Sequence, residues 1–268
     1  MARERDTQSI TLPASMQSLI DGYSWKENLV GMSGGKVFRL VAPAGKSDLY
    51  LKYGHGSTAR DITDEMVRLD WLKQHINVPE VLSFTKTGDE AWLLTRALTG
   101  RTAYQMLEDA PENHLLIVEA CTRFLTKLHN IPVDDCPFNS SHHMRLALAR
   151  KRLEAGLVDT DDFGGLYQGA TAQQVWDDIQ RCLPLAHEPV VTHGDFSLDN
   201  ILISGTEVIG CIDVGRAGIA DRYQDLAILW DCLGEFDASL QSHLWTAYGL
   251  ASLNQNHLRF HLGLDEFF

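Results

Sequence analysis

The sequence is short of the features that mark several large protein classes. Its five cysteines are scattered, and none forms a Cys-x-x-Cys pair, so a zinc site is not expected. No apolar run approaches the roughly 18–20 residues that a membrane-spanning helix needs, and residues 1–13 lack the apolar core of a secretory signal. We therefore expect a cytoplasmic protein with reduced thiols and no membrane contact.

Basic residues are also scarce. The chain has 23 Lys and Arg against 36 Asp and Glu, for a net charge of −13, and this balance disfavours nucleic-acid binding through a basic patch. An acidic surface attracts cationic ligands, although the same excess also serves ordinary solubility. With 268 residues, 44% of them hydrophobic, the chain is long enough to fill one large domain or two packed lobes.

The most informative segment is H-G-D-F-S-L-D-N at residues 193–200, followed by I-D-V-G-R at 212–216. Apolar segments at 189–192, 201–203 and 208–212 are predicted to be short strands. Asp195 and Asn200 would then lie on a loop between strands, and Asp213 would end a strand. This spacing matches the kinase catalytic loop H-R-D-x-x-x-x-N, with Asp213 in the place of the aspartate of D-F-G.

These residue types suit phosphoryl transfer. Asp195 can accept a proton from a substrate hydroxyl, while Asn200 and Asp213 offer the oxygen ligands that Mg²⁺ shares with nucleotide phosphates. Ordinary turn roles would explain Asp195, Asp199 or Asn200 singly but not their combined spacing. His193 is expected to be structural, bonded to backbone near the loop.

At these residues the chain resembles the aminoglycoside 3'-phosphotransferases. The H-G-D-x-x-x-x-N frame is shared with choline kinases and other small-molecule kinases. The run from Asp213 through A-D-R-Y-Q-D-L-A at 220–227 and the ending L-D-E-F-F at 264–268 are much narrower. The resemblance extends from residue 31 to residue 268. It implies a eukaryotic-protein-kinase-like fold, ATP and Mg²⁺ as cofactors, and transfer of the γ-phosphoryl group to the 3'-hydroxyl of an aminoglycoside.

The N-terminal part reads as a nucleotide-binding β lobe. Strands are predicted at 25–30, 36–41 and 48–53, and the loop G-M-S-G-G at 31–35 joins the first two. Its small residues Ser33, Gly34 and Gly35 can approach phosphates closely, although the loop could also be a plain hairpin turn. We reject a hydrolase G-x-S-x-G elbow because a strand, not a helix, follows. The P-loop pattern fails at 35–37 and 45–47.

Period-2 alternation places Tyr50 and Lys52 on one face of the third strand. By resemblance Lys52 binds the nucleotide phosphates and Tyr50 stacks on adenine. Apolar spacing predicts a helix over 61–76 with Asp61 as its N-cap. Glu65 on that helix is the expected partner of Lys52, as in kinases, although Asp64 and Asp61 are close in sequence. Strands at 78–84 and 91–95 complete the lobe.

The predicted fold class is α+β, with a small N-terminal β lobe and a larger, mainly helical C-terminal lobe. The expected boundaries are residues 1–95 for the nucleotide-binding lobe, 96–100 for the hinge and 101–268 for the catalytic, aminoglycoside-binding lobe. By resemblance, backbone groups near Arg96 and Leu98 contact the adenine edge. Helices are predicted at 115–129, 142–156, 171–183 and 238–249.

Acidic side chains are the expected partners of an aminoglycoside's ammonium groups. By resemblance Asp161 and Asp162 form an acidic pair in a loop over the drug, Glu235 lies near an acidic position on the opposite wall, and Glu266 and the terminal carboxylate of Phe268 add contacts. Phe236 and Asp237 depart from the family's acidic pair, and each acid alone could be a solvated charge. Arg216 could bind Asp195, bind a phosphate oxygen or form a structural salt bridge.

Two other functions stay open at this point. One is a kinase for another small hydroxyl compound such as choline, a sugar or an amino alcohol, which need not carry the ending at 264–268. The other is a non-catalytic nucleotide-binding module, whose usual sign is loss of a motif residue. Lys52, Glu65, Asp195, Asn200 and Asp213 are all present, which favours an enzyme. We expect a monomer that binds a nucleotide and a cationic aminoglycoside and does not bind nucleic acid.

Overall fold

A computed structural model describes residues 4–29, 35–183, 185–186, 188–250 and 252–268. The chain divides into two compact units. The N-terminal unit comprises Met1–Thr99 with Gly210–Gly215, and the C-terminal unit comprises Gly100–Ile209 with Arg216–Phe268. Gly210–Gly215, which the sequence analysis assigned to the C-terminal lobe, therefore groups with the N-terminal unit.

The N-terminal unit is built on a six-stranded sheet with the order β1-β2-β3-β4-β6-β5, in which the paired strands run antiparallel. Its elements in chain order are β1 Glu4–Asp6, α1 Ala14–Gln17, β2 Ser24–Asn28, β3 Lys36–Val41, β4 Leu49–His55, α2 Gly56–Leu72, β5 Val81–Thr87 and β6 Glu90–Arg96. The strand predicted at 36–41 is confirmed residue for residue.

Because side chains alternate along the strands, one face of this sheet packs in the hydrophobic core and the other carries Lys52; we call the second the functional face. Phe38, Leu51 and Leu94 lie opposite one another on β3, β4 and β6 and pack with Met16 of α1 in one buried cluster. Because side chains alternate along a strand, Lys52 points to the other face. Helix α2 packs on β4 and β6.

Two predicted boundaries in this unit are wrong. Helix α2 begins at Gly56 and not at 61, so Asp61 lies inside the helix and is not its N-cap. The first turn contributes only Ala59 to the buried face, so the apolar periodicity becomes visible only from Ile62 onward. Strand β5 begins at Val81 and not at 78, because Pro79 has no N–H to donate to a neighbouring strand.

The C-terminal unit is mainly helical, with two small sheets of order β10-β9-β7 and β11-β8. Its elements are β7 Arg101–Thr102, α3 Ala103–Asp109, α4 His114–His129, α5 His142–Glu154, α6 Ala172–Arg181, β8 Pro189–Thr192, β9 Ile201–Ser204, β10 Glu207–Cys211, β11 Gly218–Asp221, α7 Tyr223–Gly234, α8 Ala238–Tyr248 and α9 Gln255–Asp265. The four helices predicted in this region are confirmed to within a few residues.

Helix α9 anchors the end of the chain in a hydrophobic core. It packs against α6 and α7, and Phe260, Leu264 and Phe267 are fully buried with Val175 and Ile179 of α6. The burial of Phe267 fixes the last residues, so that Glu266 and Phe268 are held at defined positions. The five cysteines are free thiols, and no helix of the described residues is long and apolar enough to cross a membrane.

Candidate active site

Three charged side chains meet on the functional face of the N-terminal unit. Lys52 on β4 donates to both carboxylate oxygens of Glu65 on α2, at 2.7 and 2.6 Å, and also to Asp213. The ion pair predicted between Lys52 and Glu65 is therefore present, whereas neighbouring Asp64 lies by Arg68. The side chain of Lys52 remains 23% exposed, so an incoming anion can reach its ammonium group.

The two carboxylates keep Lys52 charged. Burial of the ammonium lowers its pKa, but the charges and hydrogen bonds of Asp213 and Glu65 outweigh this, and the pKa lies above its ordinary value. Asp213 itself has a φ of 58°, a left-handed conformation that is uncommon outside glycine. Such strain is typical of functional positions, and here it holds the carboxylate on the lysine.

The other predicted nucleotide residues are placed as follows. Ser33 and Gly34 lie outside the described residues. Gly35 allows close packing, since an added Cβ would lie 2.8 Å from Thr58 Cγ2 and 3.3 Å from the carbonyl oxygen of Tyr53. Tyr50 is part-buried and lies on the same strand face as Lys52, two residues away.

Hydrogen bonding at the end of β6 narrows what the hinge backbone can offer a ligand. The N–H of Arg96 donates to Glu80 O at 2.9 Å, and the N–H of Ala97 donates to Asp48 O at 3.0 Å. The Arg96 guanidinium also binds the Glu80 carboxylate at 2.8 Å. The backbone N–H groups of Arg96 and Ala97 are therefore already bonded within this unit.

In the C-terminal unit, the segment 193–200 forms a loop between β8 and β9, as predicted. Buried Asp225 on α7 holds it by the backbone, accepting from His193 N at 2.7 Å and from Gly194 N at 2.8 Å. Gly194 has a φ of +87°, and an added Cβ would lie 2.4 Å from the carbonyl oxygen of Arg216. Only glycine fits there, so backbone bonds set the direction of Asp195.

Two side chains of this loop stabilise its own backbone. The ring Nδ1 of His193 accepts from Asp195 N at 3.3 Å, and His193 is 1% exposed, as expected of a structural histidine. The amide nitrogen of Asn200 donates to Asp195 O at 2.9 Å. This bond uses the nitrogen of Asn200 internally and leaves its amide oxygen as the possible metal ligand.

Asn200 and Asp213, one in each unit, are the two residues that the sequence analysis assigned to Mg²⁺. Among the described residues, no group of three or more His, Cys, Asp or Glu side chains could hold a metal ion. Mg²⁺ is usually bound through one or two carboxylates together with phosphates and water. The amide oxygen of Asn200 and the carboxylate of Asp213 are hard oxygen donors of that kind.

An acidic cluster surrounds the end of α9 in the C-terminal unit. Burial raises the pKa of Glu266 to about 7, helped by the charges of Asp265, Asp231 and Asp162 and opposed by the hydrogen bond from Gly164 N. That hydrogen bond is 3.3 Å long. The structure thus brings Glu266 close to Asp162, as the resemblance implies, and adds Asp231, which the sequence analysis did not select.

The remaining predicted acids differ in their surroundings. Asp161 is exposed, and its backbone N–H is held by Asp159 at 3.0 Å. Glu235 is exposed, and partial desolvation of its carboxylate, followed by the charge of Asp231, raises its pKa. Asp237, in contrast, is the N-cap of α8 and accepts from Ser239 N at 2.7 Å, which explains its departure from an acidic pair.

Two arginines hold the C-terminal residue. The Arg216 guanidinium donates to Phe268 O at 3.4 Å and lies 5.4 Å from the Phe268 ring. Arg145 on α5 lies 4.7 Å from the same ring and donates to Asp265 at 3.1 Å. Arg145, which the sequence analysis did not select, orders both the tail and one acid of the cluster.

Arg145 also links the acidic cluster with the catalytic loop. Burial lowers the pKa of Arg145, while the charges of Asp265 and Asp195 oppose that shift and Arg216 adds to it. Asp265 is bonded directly to this buried guanidinium, and the charge of Asp195 contributes to its electrostatic environment. Asp195 and the acidic cluster around Glu266 thus belong to the C-terminal unit, and Lys52 belongs to the N-terminal unit.

Comparisons with known proteins agree with this chemistry. The model of the phosphotransferase enzyme family matches residues 26–261. An Escherichia coli aminoglycoside 3'-phosphotransferase is 52% identical over 99% of this chain and 98% of its own length. A Salmonella typhimurium enzyme of the same name is 48% identical over 99% of this chain and 98% of its own length.

The fold also matches solved structures. The crystal structure of a type VIII aminoglycoside 3'-phosphotransferase superposes with a TM-score of 0.82 at 30% identity, covering 95% of this chain and 97% of that one. The α+β, protein-kinase-like fold class predicted from the sequence is therefore confirmed. The match covers both units, the H-G-D loop and the lysine–glutamate pair, and we conclude that this chain belongs to the phosphotransferase enzyme family.

Proposed function

We propose that this protein is an aminoglycoside 3'-phosphotransferase that inactivates kanamycin- and neomycin-type antibiotics with ATP and Mg²⁺. The observation that carries the proposal is that the C-terminal unit holds both Asp195, on a loop fixed by Asp225, and an acidic cluster around Glu266. It associates a candidate base with the acidic cluster that a polycationic acceptor needs. The near-full-length identity to 3'-phosphotransferases supports the same acceptor class.

Nucleotide binding is assigned mainly to the N-terminal unit. Lys52, held by Glu65, binds the phosphates, and Ser33, Gly34 and Gly35 form the loop that covers them. Tyr50 stacks on adenine, and the backbone at Arg96 and Leu98 contacts its edge. ATP as donor is supported by an aminoglycoside phosphotransferase from Streptomyces rimosus, whose structure contains ADP and streptomycin. That protein is 27% identical to this chain and superposes with a TM-score of 0.75, covering 88% of this chain and 93% of its own.

Asp195 is the proposed catalytic base. It orients the acceptor hydroxyl and takes its proton as the oxygen attacks the γ-phosphorus, while the bond to the ADP oxygen breaks. Asn200 and Asp213 are the proposed Mg²⁺ ligands, and the bound ion would neutralise charge on the nucleotide phosphates. The catalytic loop needs no rearrangement for this step, because backbone bonds to Asp225 already fix it.

Acceptor binding is assigned to the acids of the C-terminal unit. Asp161, Asp162, Glu235, Glu266 and the carboxylate of Phe268 contact the ammonium groups, and we add Asp231 and Asp265 from the structure. Arg216 places Phe268 and so acts on the drug through the tail. The transferred phosphate removes positive charge from the drug and adds bulk, which abolishes its fit to the ribosome.

The acceptor class is tested by turnover of purified protein with labelled ATP and Mg²⁺. Kanamycin should be phosphorylated, whereas choline and glucose at equal concentration should give no product above background. Preferred turnover of choline or glucose would assign the enzyme to another small-molecule kinase class. ATP binding without turnover of any acceptor would indicate a non-catalytic module.

The raised pKa of Glu266 predicts a pH-dependent affinity for the drug. A carboxyl with a pKa of about 7 is mostly neutral at pH 6 and mostly charged at pH 8, and only the charged form attracts an ammonium group. We expect KM for kanamycin to fall by up to about tenfold between these pH values. The measurement is KM for kanamycin at saturating ATP across this range.

The matched control is Glu266→Gln, which keeps the shape but cannot ionise. Titration of the drug's own amines affects both proteins, so the ratio of their KM values isolates Glu266. The KM of Glu266→Gln divided by the KM of the wild type should approach one at pH 6 and rise toward pH 8. A ratio independent of pH would show that Glu266 does not titrate in this range or does not face the drug.

A further inference from the structure

A row of three side chains, of which the first two are buried and the third is partly buried, leads from the catalytic loop to the end of helix α8. Its first member is Asp225, which is fully buried and bonded to the backbone of His193 and Gly194. Its second member is His129 at the end of α4, whose Nε2 lies 3.1 Å from Asp225 Oδ2. The third is Tyr248 on α8, whose hydroxyl lies 2.7 Å from His129 Nδ1. His129 and Tyr248 take no part in the transfer described above.

Hydrogen-bond chemistry gives this row a direction. An ionised carboxylate can only accept, so Nε2 of His129 must carry a proton and donate it to Asp225. Nδ1 of His129 then bonds to the Tyr248 hydroxyl. Burial raises the pKa of Tyr248 to about 12, partly offset by the positive charge of Arg222, so the hydroxyl keeps its proton.

The row acts on the part of the loop that is most constrained. Asp225 accepts hydrogen bonds from the backbone amides of His193 and Gly194, which directly precede Asp195. Gly194 has a left-handed backbone conformation at a position where only glycine fits. A free carboxylate rotates easily, because the terminal torsion of aspartate is broad. Besides the two backbone amides, His129 bonds to Oδ2 of Asp225 and so further opposes rotation of this carboxylate, and Tyr248 fixes the ring of His129.

We propose that His129 and Tyr248 are positioning residues for catalysis, which hold Asp225 so that the 193–195 backbone directs Asp195 at the acceptor hydroxyl. This inference rests on the proposed function only in naming Asp195 as the base. Small errors in the placement of a reacting group are costly, since about 1 Å of displacement can cost about a hundredfold in rate. Because neither residue faces a substrate, their loss should reduce kcat and leave both KM values unchanged.

The first variant is Tyr248→Phe, which removes one hydroxyl and retains the ring. We expect kcat with kanamycin to fall about threefold to tenfold, the range of one hydrogen bond. His129→Leu should cost more, about thirtyfold to a hundredfold. His129→Gln should recover most of that loss, because an amide can donate to Asp225 and accept from Tyr248.

A double-mutant cycle separates this role from general stability. If Tyr248 acts only through His129, Tyr248→Phe should cause no further loss of kcat in the His129→Leu background. Tyr223→Phe is the matched control. It also removes one tyrosine hydroxyl, but from helix α7, where that hydroxyl accepts a hydrogen bond from Asn254 N at 2.8 Å. It should leave kcat unchanged even where it lowers the melting temperature.

Amide hydrogen exchange gives a readout that does not need turnover. Exchange of the His193 and Gly194 amides should be faster in Tyr248→Phe than in the wild type and unchanged in Tyr223→Phe. If the wild type fails to phosphorylate kanamycin, the proposed function fails while this measurement still decides the positioning role. Should His129→Leu fail to fold, Tyr248→Phe and His129→Gln carry the test. Wild-type kcat and exchange in Tyr248→Phe, or additive losses in the cycle, would overturn the inference.

Discussion

Asp195→Ala is expected to lower kcat by about a hundredfold to ten-thousandfold, the contribution typical of a general base. The loop should survive the change, because its bonds to Asp225 and Asn200 use the backbone of residues 193–195 and not the Asp195 carboxylate. ATP should therefore bind with nearly unchanged affinity. Steady-state kinetics with kanamycin and equilibrium binding of a fluorescent ATP analogue measure the two quantities.

Asp199→Ala is the matched control for this prediction. Asp199 belongs to the same loop and carries the same charge, but its carboxylate accepts from Thr102 Oγ1 at 3.4 Å and has no assigned part in proton transfer. We expect less than about a tenfold effect on kcat. Near-wild-type kcat in Asp195→Ala would remove the base from the mechanism.

Lys52→Ala should damage the nucleotide side of the reaction. It removes the ammonium that bridges Glu65 and Asp213 and leaves two carboxylates facing each other without a cation. A charged hydrogen bond contributes about 1.5–3 kcal/mol, so loss of the lysine from the phosphates should lower kcat/KM for ATP by about tenfold to two-hundredfold. The Kd for kanamycin in the absence of nucleotide should not change.

Lys86→Ala controls for the loss of a positive charge from the same sheet, since Lys86 on β5 is exposed and makes one long contact, 3.4 Å to Thr63. Glu65→Gln should give an intermediate loss, because an amide still accepts from Lys52 but no longer attracts it as a charge. An equal loss of kanamycin binding and ATP binding in Lys52→Ala would indicate a general folding defect. It would contradict a nucleotide-specific role.

The sequence predicted best where local patterning and chemistry agree. Alternation along β4 placed Lys52 on one sheet face, the apolar stripe of α2 placed Glu65 at its edge, and the resemblance to kinases paired the two residues, which the structure brings into contact. The catalytic loop was also predictable, because short apolar strands flank H-G-D-x-x-x-x-N on both sides. These parts depend on residues close together in the chain.

Contacts made over long sequence separations were not predictable in the same way. Asp225 lies about thirty residues after the loop that it holds, and its buried carboxylate looks like an ordinary residue in the first turn of α7. Asp231 lies within the apolar run I-L-W-D-C-L at 228–233, and only the tertiary structure shows that its charge acts on Glu266. Arg145 likewise gave no local signal for its partner Asp265, which is 120 positions away.

Arg216 illustrates why a motif does not fix the partner of a long side chain. The sequence allowed Asp195, a phosphate oxygen or a structural salt bridge as its partner, and the structure places its guanidinium on Phe268. That placement depends on α9 burying Phe267 and so fixing the chain end. Its effect on the drug therefore passes through the tail, and its role remains a proposal.

The position of the transferred phosphate tests the central claim most directly. Purified protein is incubated with ATP, Mg²⁺ and either kanamycin or tobramycin, and the product is assigned by phosphorus–proton correlation NMR. A base within hydrogen-bond reach of one hydroxyl, about 2.6–3.2 Å, cannot serve another several Å away. We therefore predict phosphate on the 3'-oxygen of kanamycin and no product from tobramycin, which lacks that hydroxyl. Phosphate at another position of kanamycin, or efficient turnover of tobramycin, would contradict the 3' assignment.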